Sequence, residues 1–172
     1  MPRIRRAARE DMVSLAGLLS EYCEEAFHRA WGGSLEALTR DALGKEAHAL
    51  LAVDQGEPVG FALWRRTWDA RRCVSGGELL DVFVQKAFRG GAIAPELLLA
   101  VVADVAKDGG VFLRGQEVAM QGDRLYQRFA VTQPGTEFSL SGRAFRELAA
   151  LDGQPLRDVL RRLPPKSANF EP

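Results

Sequence analysis

The chain has 172 residues, of which 47% are hydrophobic, and its 23 Lys and Arg residues balance 23 Asp and Glu residues. This composition is typical of a folded globular domain and excludes an intrinsically disordered chain. Zero net charge argues against nonspecific nucleic-acid binding. The longest apolar runs are shorter than the roughly 18 residues that a membrane-spanning helix needs.

The N-terminal half predicts a strand, two helices and a hairpin. Residues 3–8 are expected to form the first strand. Apolar residues at helical spacing predict a helix over residues 10–27, and Ser34 opens a second helix that ends near Gly44. Two strands, over residues 50–53 and 59–64, flank a Gly-Glu-Pro turn, a pattern typical of a β-hairpin.

The C-terminal half predicts further strands and helices. They are a loop over 70–77, a strand over 79–84, a helix opening at Pro95, a strand over 111–113, a helix over 123–130, a strand over 136–140, and helices over 141–151 and 155–163. We expect a single mixed α/β domain over residues 1–163 and a loose tail over residues 164–172. The irregular order of elements fits a Rossmann fold poorly.

Cysteine and histidine usage predicts neither disulfides nor a metal site. Cys23 and Cys73 lie far apart, and His28 and His48 match no metal-ligand spacing. Two free thiols and a basic start without a following apolar stretch favour a cytoplasmic protein without a metal cofactor.

The segment over residues 79–98 is the most informative part of the chain. An apolar strand leads into Arg89, Gly90 and Gly91, and Pro95 then stands where the first residue of a helix tolerates a missing N–H group. Backbone N–H groups at such a strand-to-helix turn, with the positive end of the helix dipole and an arginine, suit a phosphate or diphosphate. A plain surface turn is the alternative interpretation.

These residues resemble the GNAT superfamily of acyl-CoA-dependent N-acyltransferases, over residues 3–140 by order of elements. The resemblance rests on the turn after the apolar strand: Arg89, Gly90, Gly91, Ala92, Ile93 and Ala94. Arg89 and Ala94 match the family pattern, whereas Ala92 stands where the family usually has glycine. A downstream Leu125-Tyr126 pair is a second match, but Ala119 replaces an asparagine that the family often carries before it.

The resemblance implies a mostly antiparallel, splayed sheet flanked by helices, with extra helices at the C-terminal end. It implies acetyl-CoA as co-substrate and no metal. The diphosphate is then expected on the turn from Arg89 to Ala94. The pantetheine arm is expected along the strand edge formed by Val82, Phe83 and Val84.

The resemblance also implies roles for three side chains in transfer to an amine. Glu78 is the first choice as general base, Asp81 the second, and Tyr126 the proton donor to the leaving thiolate. Each has a structural alternative. Glu78 is then a solvated residue at a strand start, Asp81 an ion-pair partner of an arginine such as Arg114, and Tyr126 a core residue.

The expected function is therefore transfer of an acetyl group from acetyl-CoA to a primary amine of a small molecule. No nucleic-acid or membrane partner is expected, and a homodimer stays open. Two alternatives remain: a noncatalytic CoA-binding or regulatory module, and an interaction domain that binds no nucleotide.

Overall fold

The computed structural model describes residues 2–116, 131–133 and 137–170. The chain divides into two compact units, one formed by Met1–Arg65 with Asp81–Leu98 and the other by Arg66–Leu80 with Leu99–Pro172. Two long strands, β3 (Glu57–Asp69) and β4 (Val74–Val84), contribute residues to both. Among the described helices, none is long and apolar enough to cross a membrane.

The first unit is a sheet with two helices. Its strands follow the order β1-β2-β3-β4, with β1 at Arg3–Arg6 and β2 at His48–Asp54. Strand β2 pairs antiparallel with both β1 and β3, so the predicted hairpin is confirmed. Residues 59–64 of β3 are buried without a break. A strand that is apolar on both faces needs covering on both sides, which places it in the interior of the sheet.

Helix α1 (Met12–Phe27) is fixed at its start by a charged pair. The guanidinium of Arg5 donates two hydrogen bonds, of 2.6 and 2.8 Å, to the buried carboxylate of Asp11. The same carboxylate accepts the backbone N–H of Ala8 at 2.7 Å. The helix ends at His28, whose φ of 53° is left-handed. The prediction is confirmed except that residues 9–11 form a 3-10 turn. Helix α2 follows at Leu35–Asp41.

Helix α3 (Ile93–Lys107) begins two residues earlier than predicted. Pro95 is therefore the third helical residue and not the first. This is tolerated because the first four N–H groups of any α-helix have no partner within the helix. Gly109, with a φ of +82°, follows the helix, as predicted.

The described part of the second unit contains strands β5 (Leu113–Gln116), β6 (Val131–Gln133) and β7 (Glu137–Leu140). It also contains helices α4 (Gly142–Ala149) and α5 (Leu156–Arg161) and the C-terminal part of α3. Its strands follow the order β3-β4-β5-β7-β6. The β4–β5 pair is parallel, whereas β5–β7 and β6–β7 are antiparallel. The predicted mixed α/β class is confirmed.

Three expectations are wrong in the second unit. The predicted loop over residues 70–77 is short, because β3 runs on to Asp69 and β4 starts at Val74. Strand β5 lies later than residues 111–113, and Val111 is exposed.

The expected loose tail instead forms a 3-10 helix at Lys166–Phe170. Ser141 donates from its backbone N–H to Oδ1 of Asn169 and from its hydroxyl to the carbonyl of Asn169, both at 2.9 Å. The buried Asn169 has its polar atoms paired, which holds this segment against the start of α4.

Candidate functional site

The turn that joins β4 to α3 lies in the first unit. After Val84 the chain makes a 3-10 turn at Lys86–Phe88, and Gly90 then adopts a φ of +85°. This left-handed conformation is costly for residues with a Cβ atom, which explains the glycine. A Cβ atom added to Gly90 or Gly91 would meet nothing within 4 Å. The turn therefore presents open backbone on one side.

Five successive backbone N–H groups at this turn, those of residues 90–94, have no acceptor within the described chain. The last two belong to the first turn of the 15-residue helix α3, whose dipole places partial positive charge at this end. Exposed Lys86 adds a full positive charge nearby in sequence. Glu96 opposes it, but burial raises the pKa of its carboxyl group. The donor set fits the diphosphate that a CoA thioester carries.

Arg89 is held by the protein itself. Its Nε donates to the carbonyl of Val84 at 2.7 Å, and its Nη1 and Nη2 donate to the two carboxylate oxygens of Glu25 at 2.5 and 2.7 Å. The guanidinium carbon also lies 5.4 Å from the centroid of the Phe83 ring. This pairing lowers the pKa of Glu25. The arginine predicted to bind the diphosphate thus makes its described contacts with α1 and β4.

The end of β4 carries Val82, Phe83 and Val84. Among the described residues, β5 pairs with β4 at residues 77–79 and not at residues 82–84. The backbone of this end lies so close to β3 that a Cβ atom added to Gly60 would be 2.7 Å from the Phe83 carbonyl oxygen. Phe83 and Val84 are buried and Val82 is half-buried. At residues 82–84, next to the open turn, the backbone of β4 can offer its polar groups to an extended, amide-rich ligand.

Asp81 interrupts this apolar strand and lies half-buried. The hydroxyl of Tyr22 in α1 donates to its Oδ1 at 2.7 Å. Burial raises the pKa of Asp81, and the Tyr22 hydrogen bond opposes that rise. The Tyr22 ring contacts three phenylalanine rings, those of Phe27, Phe61 and Phe83, with centroids 5.4, 6.0 and 5.8 Å away. The carboxylate therefore stands in a largely apolar, aromatic setting.

Glu78 belongs to the second unit and has different neighbours. It lies opposite Arg114 in the parallel β4–β5 register, with 4.0 Å between the nearest carboxylate and guanidinium atoms. Arg114 also donates from Nη2 to the Thr67 hydroxyl at 2.7 Å. The arginine expected beside Asp81 thus pairs with Glu78 instead, because the strand register aligns those two positions. The expectation that Asp81 pairs with Arg114 is wrong.

Two residues that the sequence analysis missed are placed by α1, namely Tyr22 and Glu25. Both are separated from their partners by about 60 positions, 59 for Tyr22–Asp81 and 64 for Glu25–Arg89. The signal available in the sequence was weak, since Tyr22 looks like one more apolar-face residue of an amphipathic helix. Tyr126, Leu125 and Ala119 lie outside the described residues.

The chain was compared with protein-family models, with curated proteins and with solved structures. Residues 12–130 match the family model described as the acetyltransferase (GNAT) family. A comparison with curated proteins finds no match.

Three solved structures with a similar fold are the following. A ribosomal-protein-alanine N-acetyltransferase from Brucella melitensis biovar Abortus 2308 is 25% identical, with a TM-score of 0.62 over 77% of this chain and 92% of that one. The PaiA N-acetyltransferase from Thermoplasma acidophilum, solved in complex with coenzyme A, is 16% identical, with a TM-score of 0.59 over 82% and 99%. An aminoglycoside acetyltransferase from an uncultured soil metagenomic sample is 20% identical, with a TM-score of 0.66 over 77% and 93%.

The family model covers well over half of the chain. The chain belongs to the GNAT family of acyl-CoA-dependent N-acetyltransferases.

Proposed function

We propose that this protein transfers the acetyl group of acetyl-CoA to a primary amine of a small molecule, by direct attack in a ternary complex. The observation that carries this proposal is the row of five N–H groups at residues 90–94, which have no acceptor among the described residues and come shortly after the end of β4 at Val84. The first unit thereby offers donors for a diphosphate and a strand edge for the pantetheine arm within one short segment.

Acetyl-CoA, when bound, supplies an acyl group activated as a thioester. The N–H groups of residues 90–94 bind the diphosphate. The edge of β4 at residues 82–84 orients the pantetheine amides, and a backbone N–H there faces the thioester oxygen as it gains negative charge. Holding donor and acceptor together supplies much of the rate acceleration, because the reaction becomes effectively intramolecular.

An acceptor amine with a pKa near 10 arrives protonated and must lose a proton before it attacks. We assign this step to Asp81, directly or through a water molecule. The Tyr22 hydroxyl occupies Oδ1 of Asp81, which directs the proton to Oδ2. Burial raises the pKa of Asp81, which makes its carboxylate a stronger base. The C–N bond then forms as the C–S bond breaks. The thiolate takes a proton, which we assign to Tyr126, and the second proton that the nitrogen loses restores the tyrosine hydroxyl.

Glu78 remains the alternative base. Its carboxylate lies 4.0 Å from Nη2 of Arg114, the residue opposite it in the β4–β5 register, which favours a structural pair over proton transfer. The two assignments therefore predict opposite rankings of kcat for Asp81→Asn and Glu78→Gln.

The test is acceptor-dependent release of free CoA thiol from acetyl-CoA. The panel contains an aromatic amine, a polyamine, an aminoglycoside and a peptide with an N-terminal alanine. We expect at least one small-molecule amine to accelerate thiol release and to gain the mass of one acetyl group.

Calorimetric binding of CoA without turnover on any amine would favour the noncatalytic module. Turnover on the peptide alone would overturn the assignment of a small-molecule acceptor.

A further inference from the structure

Two matched side-chain pairs join α1 to the turn after β4. Glu21 accepts hydrogen bonds from Nε2 of Gln85 at 2.9 and 3.1 Å, and Glu25 accepts two from Arg89. Glu21 and Glu25 are four residues apart, and so are Gln85 and Arg89. Residues four apart lie on the same face of a helix, so one face of α1 contacts both ends of the segment over residues 85–89.

The Arg89 guanidinium is held in place from three sides. Its three nitrogen atoms donate to Val84 and Glu25, and its face lies over the Phe83 ring. The side chain is only 27% exposed. A planar guanidinium in a two-pronged carboxylate pair has a fixed orientation, and here its bonds run towards α1 and β4. Three of its five N–H donors are engaged in this way, and the bonds to Glu25 fix the direction of the other two.

We propose that Glu25 and Arg89 are positioning residues for CoA binding. Their pair fixes the turn so that the N–H groups of residues 90–94 converge, and the backbone makes the diphosphate contacts. This inference rests on the proposed function, because it assigns roles within the same CoA site. It differs from the expectation that Arg89 supplies the cation for the diphosphate.

The test compares CoA dissociation constants, measured by calorimetry, for Glu25→Ala, Arg89→Ala and the double variant. A partly exposed pair contributes modestly, so we expect about three- to tenfold weaker binding for Glu25→Ala. The double variant should bind no more weakly than Arg89→Ala, because each residue acts through the other. Glu24→Ala is the matched control. It removes a neighbouring exposed carboxylate of α1 that has no hydrogen bond or ion pair with the residues that the structure describes, so we expect unchanged binding.

Arg89→Lys separates charge from geometry. Lysine keeps the positive charge but loses the planar two-pronged pair, so we expect it to bind CoA as weakly as Arg89→Ala. Turnover should show a higher KM for acetyl-CoA, with kcat and the KM for the amine unchanged. Wild-type affinity in Arg89→Lys, or tighter binding in Glu25→Ala, would mean that the guanidinium contacts the diphosphate directly and would overturn the proposal.

Hydrogen exchange of the CoA-free protein tests the pair independently of the proposed function. We expect the hydrogen-bonded backbone amides of residues 85, 88 and 89 to exchange faster in Glu25→Ala and Arg89→Ala than in the wild type and in Glu24→Ala. Unchanged exchange would contradict a positioning role. If the variants exchange faster but the wild-type protein binds no CoA, the proposed function is refuted. The pair then has only a structural role.

Discussion

The turn after β4 and the carboxylates within β4 are built by different means. The turn offers backbone N–H groups, and its shape depends on the left-handed φ of Gly90 and on the start of α3. The carboxylates of Asp81 and Glu78 instead take their properties from side-chain partners, which include Tyr22 for Asp81 and Arg114 for Glu78. The turn should therefore be sensitive to changes in backbone conformation, and the carboxylates to changes in single side chains.

The largest expected effect comes from Asp81→Asn, which removes the proposed base while keeping the size of the side chain. We expect kcat to fall by about 10²- to 10⁴-fold, the usual contribution of a general base. Steady-state kinetics with a saturating amine measure it, and Glu78→Gln is the matched variant on the same strand. A larger loss of kcat in Glu78→Gln than in Asp81→Asn would make Glu78 the base and would contradict the roles assigned to the two carboxylates.

Gly90→Ala tests the backbone side of the comparison. A Cβ atom at a φ of +85° costs about 1–2 kcal/mol, so we expect roughly tenfold weaker CoA binding by calorimetry. Gly153→Ala is the control, since Gly153 has a φ of +79° and equally open surroundings but lies outside the turn. Equal CoA affinities of the two variants would argue against a role for the turn's conformation.

Tyr22→Phe should give the smallest effect and sharpens the assignment of Asp81. The Tyr22 hydrogen bond lowers the pKa of Asp81, so its loss raises that pKa further. A base acts when deprotonated, and activity rises with pH through its pKa. The acid limb of the kcat/KM profile should therefore move to higher pH, with a few-fold loss near neutral pH. An acid limb that stays in place would separate Tyr22 from the catalytic base.

The turn after β4 was predictable from the sequence, because it is formed by residues that are close together along the chain. The strand, the glycine turn and the apolar helix behind it follow one another within about twenty residues, and each has a local signature. The start of α3 was misplaced by two residues, because proline is tolerated throughout the first helical turn.

The partners of the charged side chains were not predictable in the same way. Arg114 was expected beside Asp81, but the β4–β5 register aligns it with Glu78. A register is set by the packing of whole strands, which a local pattern does not contain. The contacts of Tyr22 and Glu25 likewise depend on how α1 packs on the sheet. The packed C-terminal segment was missed for the same reason, since Asn169 finds its partner at Ser141.

The most direct test of the account is an NMR titration that follows the backbone amide signals of residues 90–94. CoA should shift these signals strongly, whereas pantetheine, which lacks the diphosphate, should leave them in place. If CoA binds and these signals do not move, or if pantetheine moves them equally, the turn does not bind the diphosphate and the proposed site is wrong.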